Sequence, residues 1–381
     1  MRLWVGIAGL VILFGVLWEA FESIILPRRV TRPFRLTRLF YRVSWTIWVG
    51  VNGMVYSKKL RGAHLSYFGP LSLLMLFATW ACLLVLAFAM LHWAAGSALS
   101  ATPGEVAMFR TDLYLSGTTF FTLGLGDVTP RTTLARAITV IEGGTGFGFL
   151  AIMVAYLPTL YGAFSQRELN ISLLDARAGS PPTAAELLRR HAQFADNEVL
   201  TPYLRDWEIW AAQLMESHLS YPVLCYFRSQ HDNQSWLAAF AAVLDVSALL
   251  ISYGEGTAKW QARLTFAIAR HAVLDLSEVL RVAPVRPAQN RLPPEQVAEV
   301  RNLLVECRAA GKCTEAGDQK LIQLREMYEP YLNGLSLRLL MPLPSWGVGH
   351  NFVENWKRSA WGRISSEPKG SGNPGGESSH F

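Results

Sequence analysis

A short polar segment with two closely spaced glycines lies between two long apolar stretches of the chain. Residues 118–130 read TTFFTLGLGDVTP. Irregular backbone at membrane depth must be buried in protein or line a cavity, because hydrocarbon offers no hydrogen-bond partners. A ring of backbone carbonyl groups can replace the hydration shell of a potassium ion. The pattern therefore predicts coordination of a permeating cation by backbone oxygen atoms.

The part of this segment that would contact the ion is expected to be extended. Gly124 and Gly126 permit dihedral angles that direct successive carbonyl groups to one side. Residues 122–127 are named here the filter segment: Thr122, Leu123, Gly124, Leu125, Gly126 and Asp127. We expect the backbone carbonyl groups of Thr122, Leu123, Gly124 and Leu125 to coordinate K+.

A short helix is predicted before the filter segment, from Phe109 to Phe121. Thr111 and Asp112 suit its start, since hydroxyl and carboxylate groups cap free amides and favour the positive end of the helix dipole. The opposite end of this helix would face the ion path with a partial negative charge. It would therefore attract cations towards the filter segment.

Composition indicates a membrane protein. Of the 381 residues, 51% are hydrophobic and 17% are charged, whereas soluble proteins are about 25% charged. Three stretches are long and apolar enough to span a bilayer: Leu3–Leu26, Leu71–Leu91 and Ala137–Phe164. A cleaved signal peptide is the alternative for the first, but no small-residue cleavage site follows it. The expected fold is an all-α membrane protein with three transmembrane helices, a re-entrant pore helix and filter, and a helical cytoplasmic domain.

The distribution of charge predicts the orientation of these helices. No Asp or Glu lies between Ser23 and Gly104, whereas nine Lys and Arg do. An interfacial helix at Val43–Tyr56 keeps all nine cations on the cytoplasmic side, and a fourth crossing at that place is the alternative. The N-terminus is then outside and the chain after Phe164 is cytoplasmic.

The basic stretch Arg28–Arg42 is expected to bind anionic lipid, not nucleic acid. Arginines recur there at every third residue, at positions 29, 32, 35 and 38, and a voltage-sensing helix is therefore the alternative. Pro33 interrupts the run, and only one span precedes it, so lipid binding is favoured.

The segment 68–165 resembles the pore module of the potassium-channel superfamily, of the bacterial two-transmembrane pore-loop type. The family filter reads TVGYGD and this chain reads TLGLGD, so Leu123 and Leu125 replace Val and Tyr. The resemblance implies a homotetramer that conducts K+ passively across the bacterial plasma membrane, with no cofactor and no enzymatic activity. A weakly selective cation channel is the alternative that Leu125 favours. A non-conducting receptor or scaffold with a vestigial pore is another.

The resemblance also implies roles for residues around the filter segment. Asp127 matches the acid that bonds to an aromatic residue on the pore helix, and Tyr114 lies at the matching spacing. Gly146 falls at the hinge glycine of the inner helix. The gating hinge is predicted to comprise Gly143, Gly144, Gly146 and Pro158, with a gate near Tyr156–Phe164. The alternative is that these small residues only pack neighbouring helices.

Glu142 is a carboxylate within an apolar span, which is costly and usually has a partner or a role. We expect it to brace the pore helix through Thr118 or Thr119, and together with Tyr114 these residues form the predicted filter support. The alternative is a position near enough to the outer interface for the carboxylate to stay hydrated.

The second half of the chain predicts helices and no site chemistry. Helical patterns occur in Glu186–Gln193, Tyr203–Leu219, Lys259–Leu280 and Val297–Cys307. Trp236–Tyr253 is read as a buried helix, with a fourth span as the alternative. No phosphate-binding glycine loop or Gly-x-Ser-x-Gly sequence occurs there. The predicted domains are 1–27 (N-terminal span), 28–67 (basic interfacial segment), 68–165 (pore module), 166–362 (helical domain) and 363–381 (disordered tail).

Overall fold

The protein is built almost wholly from α-helices. A computed structural model describes residues 1–26, 35–96, 99–100, 108–192, 200–230, 233–287, 289–306 and 314–346. Arg28, Arg29, Arg32 and the tail at 363–381 lie outside the described residues. The helices are α1 (Arg2–Ala20), α2 (Leu36–Gly53), α3 (Lys58–Ala94), α4 (Phe109–Phe120), α5 (Thr133–Ala178), α6 (Ala184–Ala192), α7 (Leu200–Ser220), α8 (Trp236–Tyr253), α9 (Gly256–Val279), α10 (Pro294–Glu306), α11 (Glu315–Glu326) and α12 (Glu329–Leu339). A short antiparallel ladder joins Leu99–Ser100 (β1) to Thr129–Pro130 (β2).

The first helix packs along α3. It ends in a π-helical turn at Phe21–Ile25. A Cβ atom on Gly9 would lie 2.9 Å from the carbonyl oxygen of Ala87, so glycine permits this close crossing. The opposite face of α1 exposes large apolar side chains such as Trp4 and Phe14, as expected of a helix that faces lipid.

The helix α3 is longer than the predicted span at 71–91. It begins at Lys58 and continues through Pro70. Ser57 caps its start, because the Ser57 side chain accepts a hydrogen bond from the Leu60 amide. The last ten residues of the predicted interfacial segment 28–67 therefore belong to the outer helix of the pore. Pro70 is tolerated because neighbouring groups can satisfy the freed backbone positions in helices of this kind.

The amphipathic helix α2 lies against the helical domain. The Trp45 indole is buried and donates a hydrogen bond to the carbonyl oxygen of Arg338 at 2.9 Å. Its ring also packs on Phe68 and Tyr226, with centroids 4.7 and 5.1 Å away. These contacts bind α2 to the end of the bundle that carries the helical domain, which supports an interfacial position over a separate crossing.

The inner helix α5 runs unbroken from the membrane region into the helical domain. It passes through Pro158 and across the predicted domain boundary at residue 165 before it ends at Ala178. Arg167, on this extension, is buried and donates to the carbonyl oxygens of Leu224 and Phe227, each at 3.0 Å. The domain is therefore attached directly to the inner helix of the pore.

His218 of α7 completes this junction as a neutral imidazole. Its Nδ1 lies 2.9 Å from the carbonyl oxygen of Leu214, and its Nε2 lies 3.2 Å from Nη1 of Arg167. A guanidinium can only donate, so Nε2 accepts and the ring proton sits on Nδ1. Burial and the adjacent Arg167 lower the pKa of His218 well below its usual value.

The helix α8 forms the centre of the helical domain. Four helices among the described residues are long and apolar enough to cross a membrane: Arg2–Ile25, Leu60–Ala94, Thr133–Ala178 and Trp236–Tyr253. In the last of these, 94% of the residues are buried by neighbouring parts of the chain, so almost no surface is left for lipid. Inside this core, the Asp245 carboxylate accepts hydrogen bonds from Arg291 at 2.5 Å and from the Tyr328 hydroxyl at 2.6 Å.

The sequence patterns predicted four helices of this domain, α6, α7, α9 and α10, to within a few residues at each end. For α8 the predicted first and last residues, Trp236 and Tyr253, are the observed ones. The helices α11 and α12 were not expected. In α11 the buried positions are few, at Gly317, Leu321 and Leu324, and this narrow apolar stripe gives a weak periodic signal.

Candidate ion-conduction site

The pore helix α4 lies between α3 and α5. It starts at Phe109 and carries the predicted acid Asp112 in its first turn, where the carboxylate is buried near the positive end of the helix dipole. Thr111 lies in the same turn, but the residue that precedes the helix is Met108, which offers no side-chain cap. At the other end Phe120 is fully buried and its ring lies 5.9 Å from that of Phe149 on α5.

The filter segment alternates between two backbone conformations. Thr122, Gly124 and Gly126 have φ angles of +59°, +52° and +79°, whereas Leu123 and Leu125 do not lie in the left-handed region. Alternation of this kind reverses every second peptide plane, so successive carbonyl groups face the same side of the strand. The sequence predicted this conformational freedom for the two glycines but not for Thr122. The left-handed Thr122 is a strained position, costing on the order of 1–3 kcal/mol.

The pore helix holds the start of the filter segment through its backbone. The carbonyl oxygen of Thr118 accepts hydrogen bonds from the amides of Leu123 at 2.7 Å and Gly124 at 3.3 Å. The carbonyl oxygen of Thr119 accepts one from the Thr122 amide at 3.0 Å. The two threonines predicted as filter support thus contact the filter segment by main-chain groups.

The structure brings Tyr114 and Asp127 together at the other end of the filter segment. The Tyr114 hydroxyl donates a hydrogen bond of 2.8 Å to Oδ2 of Asp127. The second carboxylate oxygen accepts from the Val128 amide at 3.0 Å. This pair joins the first half of the pore helix to the end of the filter segment, 13 residues later in the chain.

One side of the filter segment is uncovered in the single chain. Leu123 and Leu125 are 62% and 63% exposed. Leu125 occupies the place of the family's aromatic residue, and the described residues of the single chain leave most of its side chain uncovered. The segment is therefore braced from the pore helix at both ends but not at Leu125.

Glu142 is part of a buried polar cluster behind the pore helix. Its Oε1 accepts a hydrogen bond from the Ser116 hydroxyl, and its Oε2 lies 3.2 Å from Nε2 of His92. The Ser116 oxygen is also 2.7 Å from the carbonyl oxygen of Val85. The cluster thus connects α3, α4 and α5 in the interior of the pore module.

The expected partners of Glu142 were wrong, and so was the alternative of a hydrated carboxylate. The side chain is fully buried, and the hydroxyl of Thr118 donates instead to the carbonyl oxygen of Leu115 at 3.0 Å. Residues 116 and 118 are about 200° apart around a helix, so only one of them can face α5 at this height. His92 was missed because its only sequence signal is one imidazole next to an uncharged apolar stretch.

The glycines of the inner helix occupy different environments. A Cβ atom on Gly146 would lie 2.1 Å from the carbonyl oxygen of Phe120, so the backbones of α4 and α5 meet there. A Cβ atom on Gly143 would lie 3.8 Å from Thr119, and Gly144 has nothing within 4 Å in the chain. Packing therefore accounts for Gly146, whereas the hinge role of these glycines and Pro158 stays a prediction.

Comparison with known proteins identifies the same region. Residues 75–161 match the family described as "Ion channel". The chain is also 24% identical over 249 residues to "Uncharacterized membrane protein YdjJ" of Bacillus subtilis strain 168, covering 64% of this chain and 72% of that protein. No solved structure matches. The matched residues contain the second half of α3, the pore helix, the filter segment and the membrane part of α5. This pore segment belongs to the ion-channel superfamily as a two-transmembrane pore-loop module.

Proposed function

We propose that the protein conducts K+ passively through a pore formed by four copies of the chain. The observation that carries this proposal is the alternating backbone of the filter segment, with left-handed φ angles at Thr122, Gly124 and Gly126. This geometry supplies a row of carbonyl oxygens on one side of one strand. A closed ring around an ion needs several such strands, and the family resemblance implies fourfold symmetry.

The surface of the inner helix supports assembly of several copies. Val140, Phe147 and Val154 of α5 are 75%, 69% and 72% exposed in the single chain. Apolar side chains of an inner helix are covered when neighbouring subunits pack around a central pore. Exposure of this helix and of the filter segment together fits subunits that are incomplete alone.

The proposed membrane is the bacterial plasma membrane, with the helical domain in the cytoplasm. Arg35 and Arg38 lie beside Glu22 and Arg281, at the end of the bundle that carries the helical domain. Arg2 lies at the opposite end, with its guanidinium 5.8 Å from the ring of Trp93, which in turn packs against Phe109 at the start of the pore helix. Cationic residues favour the cytoplasmic face, so the filter segment opens to the outside.

We assign the helical domain a role in opening and closing the pore. Arg167 fixes the domain to the extension of α5, a few residues after the proposed gate at Tyr156–Phe164. The guanidinium also lies 5.0 Å from the ring centroid of Phe164. A movement of the domain would therefore be transmitted to the gate through one continuous helix, with no change to the filter segment.

The test is the reversal potential of purified protein in planar bilayers under a potassium/sodium gradient. We expect a value near the potassium equilibrium potential. Gly126→Ala should abolish the current, because alanine disfavours its φ of +79°. Gly15→Ala is the matched control, since a Cβ atom there meets nothing within 4 Å. Equal currents from both variants would remove the filter assignment.

A weakly selective cation channel is the second candidate, and exposed Leu125 favours it. A reversal potential near zero would support this candidate. A non-conducting receptor or scaffold would give no current under any gradient, although such a protein would have no use for the strained backbone at Thr122. Neither candidate nor the main proposal involves enzymatic chemistry or a cofactor.

A further inference from the structure

A cavity of about 360 Å³ lies where the membrane helices meet the helical domain. One wall is apolar and aromatic, and it comes from Leu73, Phe77 and Trp80 of α3 and Tyr156 of α5. The volume falls in the range of about 300–1,000 Å³ that is typical of small-molecule sites. We name this space the basic cavity, because arginine side chains line the side opposite the aromatic wall.

That opposite side is lined by cations from two distant parts of the sequence. Arg38 and Arg42 come from α2, whereas Arg281 and Arg338 come from the helical domain. With Arg35, five arginines line the cavity against two glutamates, so its charge is positive. An anion is therefore the complementary ligand.

Two of the five arginines, Arg42 and Arg281, lack a partner of opposite charge within the described residues. Arg35 is held by Ser23 at 3.0 Å and lies 3.5 Å from Glu19. Within the described residues, the side chains of Arg42 and Arg281 form no hydrogen bond or ion pair. Burial, followed by the neighbouring charges of Arg281, Arg35 and Arg42, lowers the pKa of Arg38. The guanidinium groups thus repel one another across the cavity, and a bound anion would relieve this repulsion.

We propose that the basic cavity binds an anionic phospholipid, with its phosphate among the arginines and an acyl chain along the aromatic wall. The apolar wall distinguishes this ligand from a free phosphate ion, which would gain nothing from Phe77 or Trp80. The position also suits a lipid, since α1 and α3 continue from the cavity into the membrane region.

A lipid in this place would contact the moving parts of the pore. Tyr156 of the inner helix packs edge-on against Phe77 at 6.0 Å and against Tyr221 at 5.4 Å. The ligand would therefore bridge α5 and the helical domain, and an effect on opening follows only if the proposed channel function holds. Binding itself does not depend on conduction.

Binding is tested by native mass spectrometry of the full-length protein in detergent. Phosphatidylglycerol and phosphatidylcholine of equal chain length are offered at equal concentration, with and without millimolar inorganic phosphate. We expect phosphatidylglycerol to be retained at least tenfold more than phosphatidylcholine, and phosphate not to displace it. Because this measurement does not depend on ion current, a negative result would contradict the lipid site without contradicting the proposed channel function.

Two double variants with equal charge locate the site. Arg42→Gln with Arg281→Gln removes two cations from the cavity. The preference should be lost, because each arginine near anionic lipid contributes about fivefold and two together account for about 25-fold. Arg205→Gln with Arg263→Gln removes two exposed cations elsewhere on α7 and α9 and should leave the preference unchanged.

Three results would overturn the proposal. Equal retention of the two lipids by the wild-type protein would exclude an anionic lipid site. Displacement of phosphatidylglycerol by free phosphate would indicate a soluble anion as ligand. Identical losses in both double variants would mean that the preference reflects overall charge. If the cavity variant does not fold, the wild-type comparisons with both lipids and phosphate still decide.

Discussion

Replacing Gly146 by alanine places a methyl group inside the contact between the inner helix and the pore helix. The new Cβ atom would lie 2.1 Å from the carbonyl oxygen of Phe120, whereas even a close carbon–oxygen contact is about 3.3 Å. The two helices would have to separate by about 1 Å. Overpacking of this kind costs about 1–3 kcal/mol.

The same substitution at Gly144 is a matched control on the same helix. A Cβ atom there meets nothing within 4 Å of the chain. Both substitutions replace glycine by a better helix former, which is worth about 1 kcal/mol in each, so this gain cancels in the comparison. We expect Gly146→Ala to be less stable than Gly144→Ala by about 1–3 kcal/mol.

The assay is thermal unfolding of the purified assembly in detergent, followed by gel filtration, together with K+ flux into liposomes. Phe120 precedes the filter segment by two residues, so the displaced carbonyl should also disturb that segment. Gly146→Ala should therefore lose both stability and flux, whereas Gly144→Ala should keep its stability.

Three outcomes would refute the reasoning. Unchanged stability of Gly146→Ala would show that the helices do not approach as closely as described. Normal stability and ion preference with a reduced open probability would instead identify Gly146 as a hinge, as the family resemblance implies. Damage of equal size from both substitutions would mean that the contact with Phe120 is not the cause.

Three further predictions concern the filter segment, the buried cluster and the domain junction. Leu125→Tyr should raise the preference for K+ over Na+, measured as a shift in reversal potential, if a missing aromatic brace loosens the segment; no shift would mean that Leu125 suffices. Glu142→Ala should destabilise the protein by about 1–3 kcal/mol because the buried His92 loses its partner, whereas Ser116 can still donate to the carbonyl oxygen of Val85. Glu142→Gln, which keeps a hydrogen-bonding side chain, should lose less in thermal unfolding. Because the pKa of His218 is lowered on folding, the unfolded state binds more protons below about pH 6.5, and the free energy of unfolding should fall there by up to about 1.4 kcal/mol per pH unit. Denaturant titrations between pH 7 and 5 check this, and a His218→Gln variant with the same pH slope would contradict it.

Features that depend on residues close together in the sequence were predictable from the sequence alone. The three apolar spans follow from uncharged stretches of sufficient length, and the filter segment follows from glycines two residues apart. The contact between Tyr114 and Asp127 was expected from their spacing in the family pattern, and the structure places them 2.8 Å apart. Residues that are close in the sequence can adopt few arrangements relative to one another, because the backbone and short loops restrict them.

Contacts between distant residues were decided by tertiary packing. Glu142 meets His92 and Ser116, which precede it by 50 and 26 residues, because the rotation of three packed helices selects which side chains face inward. Sequence periodicity predicts a helix but not its rotation against a partner, and this is why Thr118 and Thr119 were wrong partners.

The basic cavity has the same origin. The charge on α2 was evident from the sequence, but Arg281 belongs to the helical domain more than 200 residues later than Arg38 and Arg42. These cations meet because α5 continues past the membrane region and carries the domain back against α2 and α3. The sequence by itself determined a pore segment within a membrane protein, whereas the folded chain decided what braces that segment and which cations meet in the basic cavity.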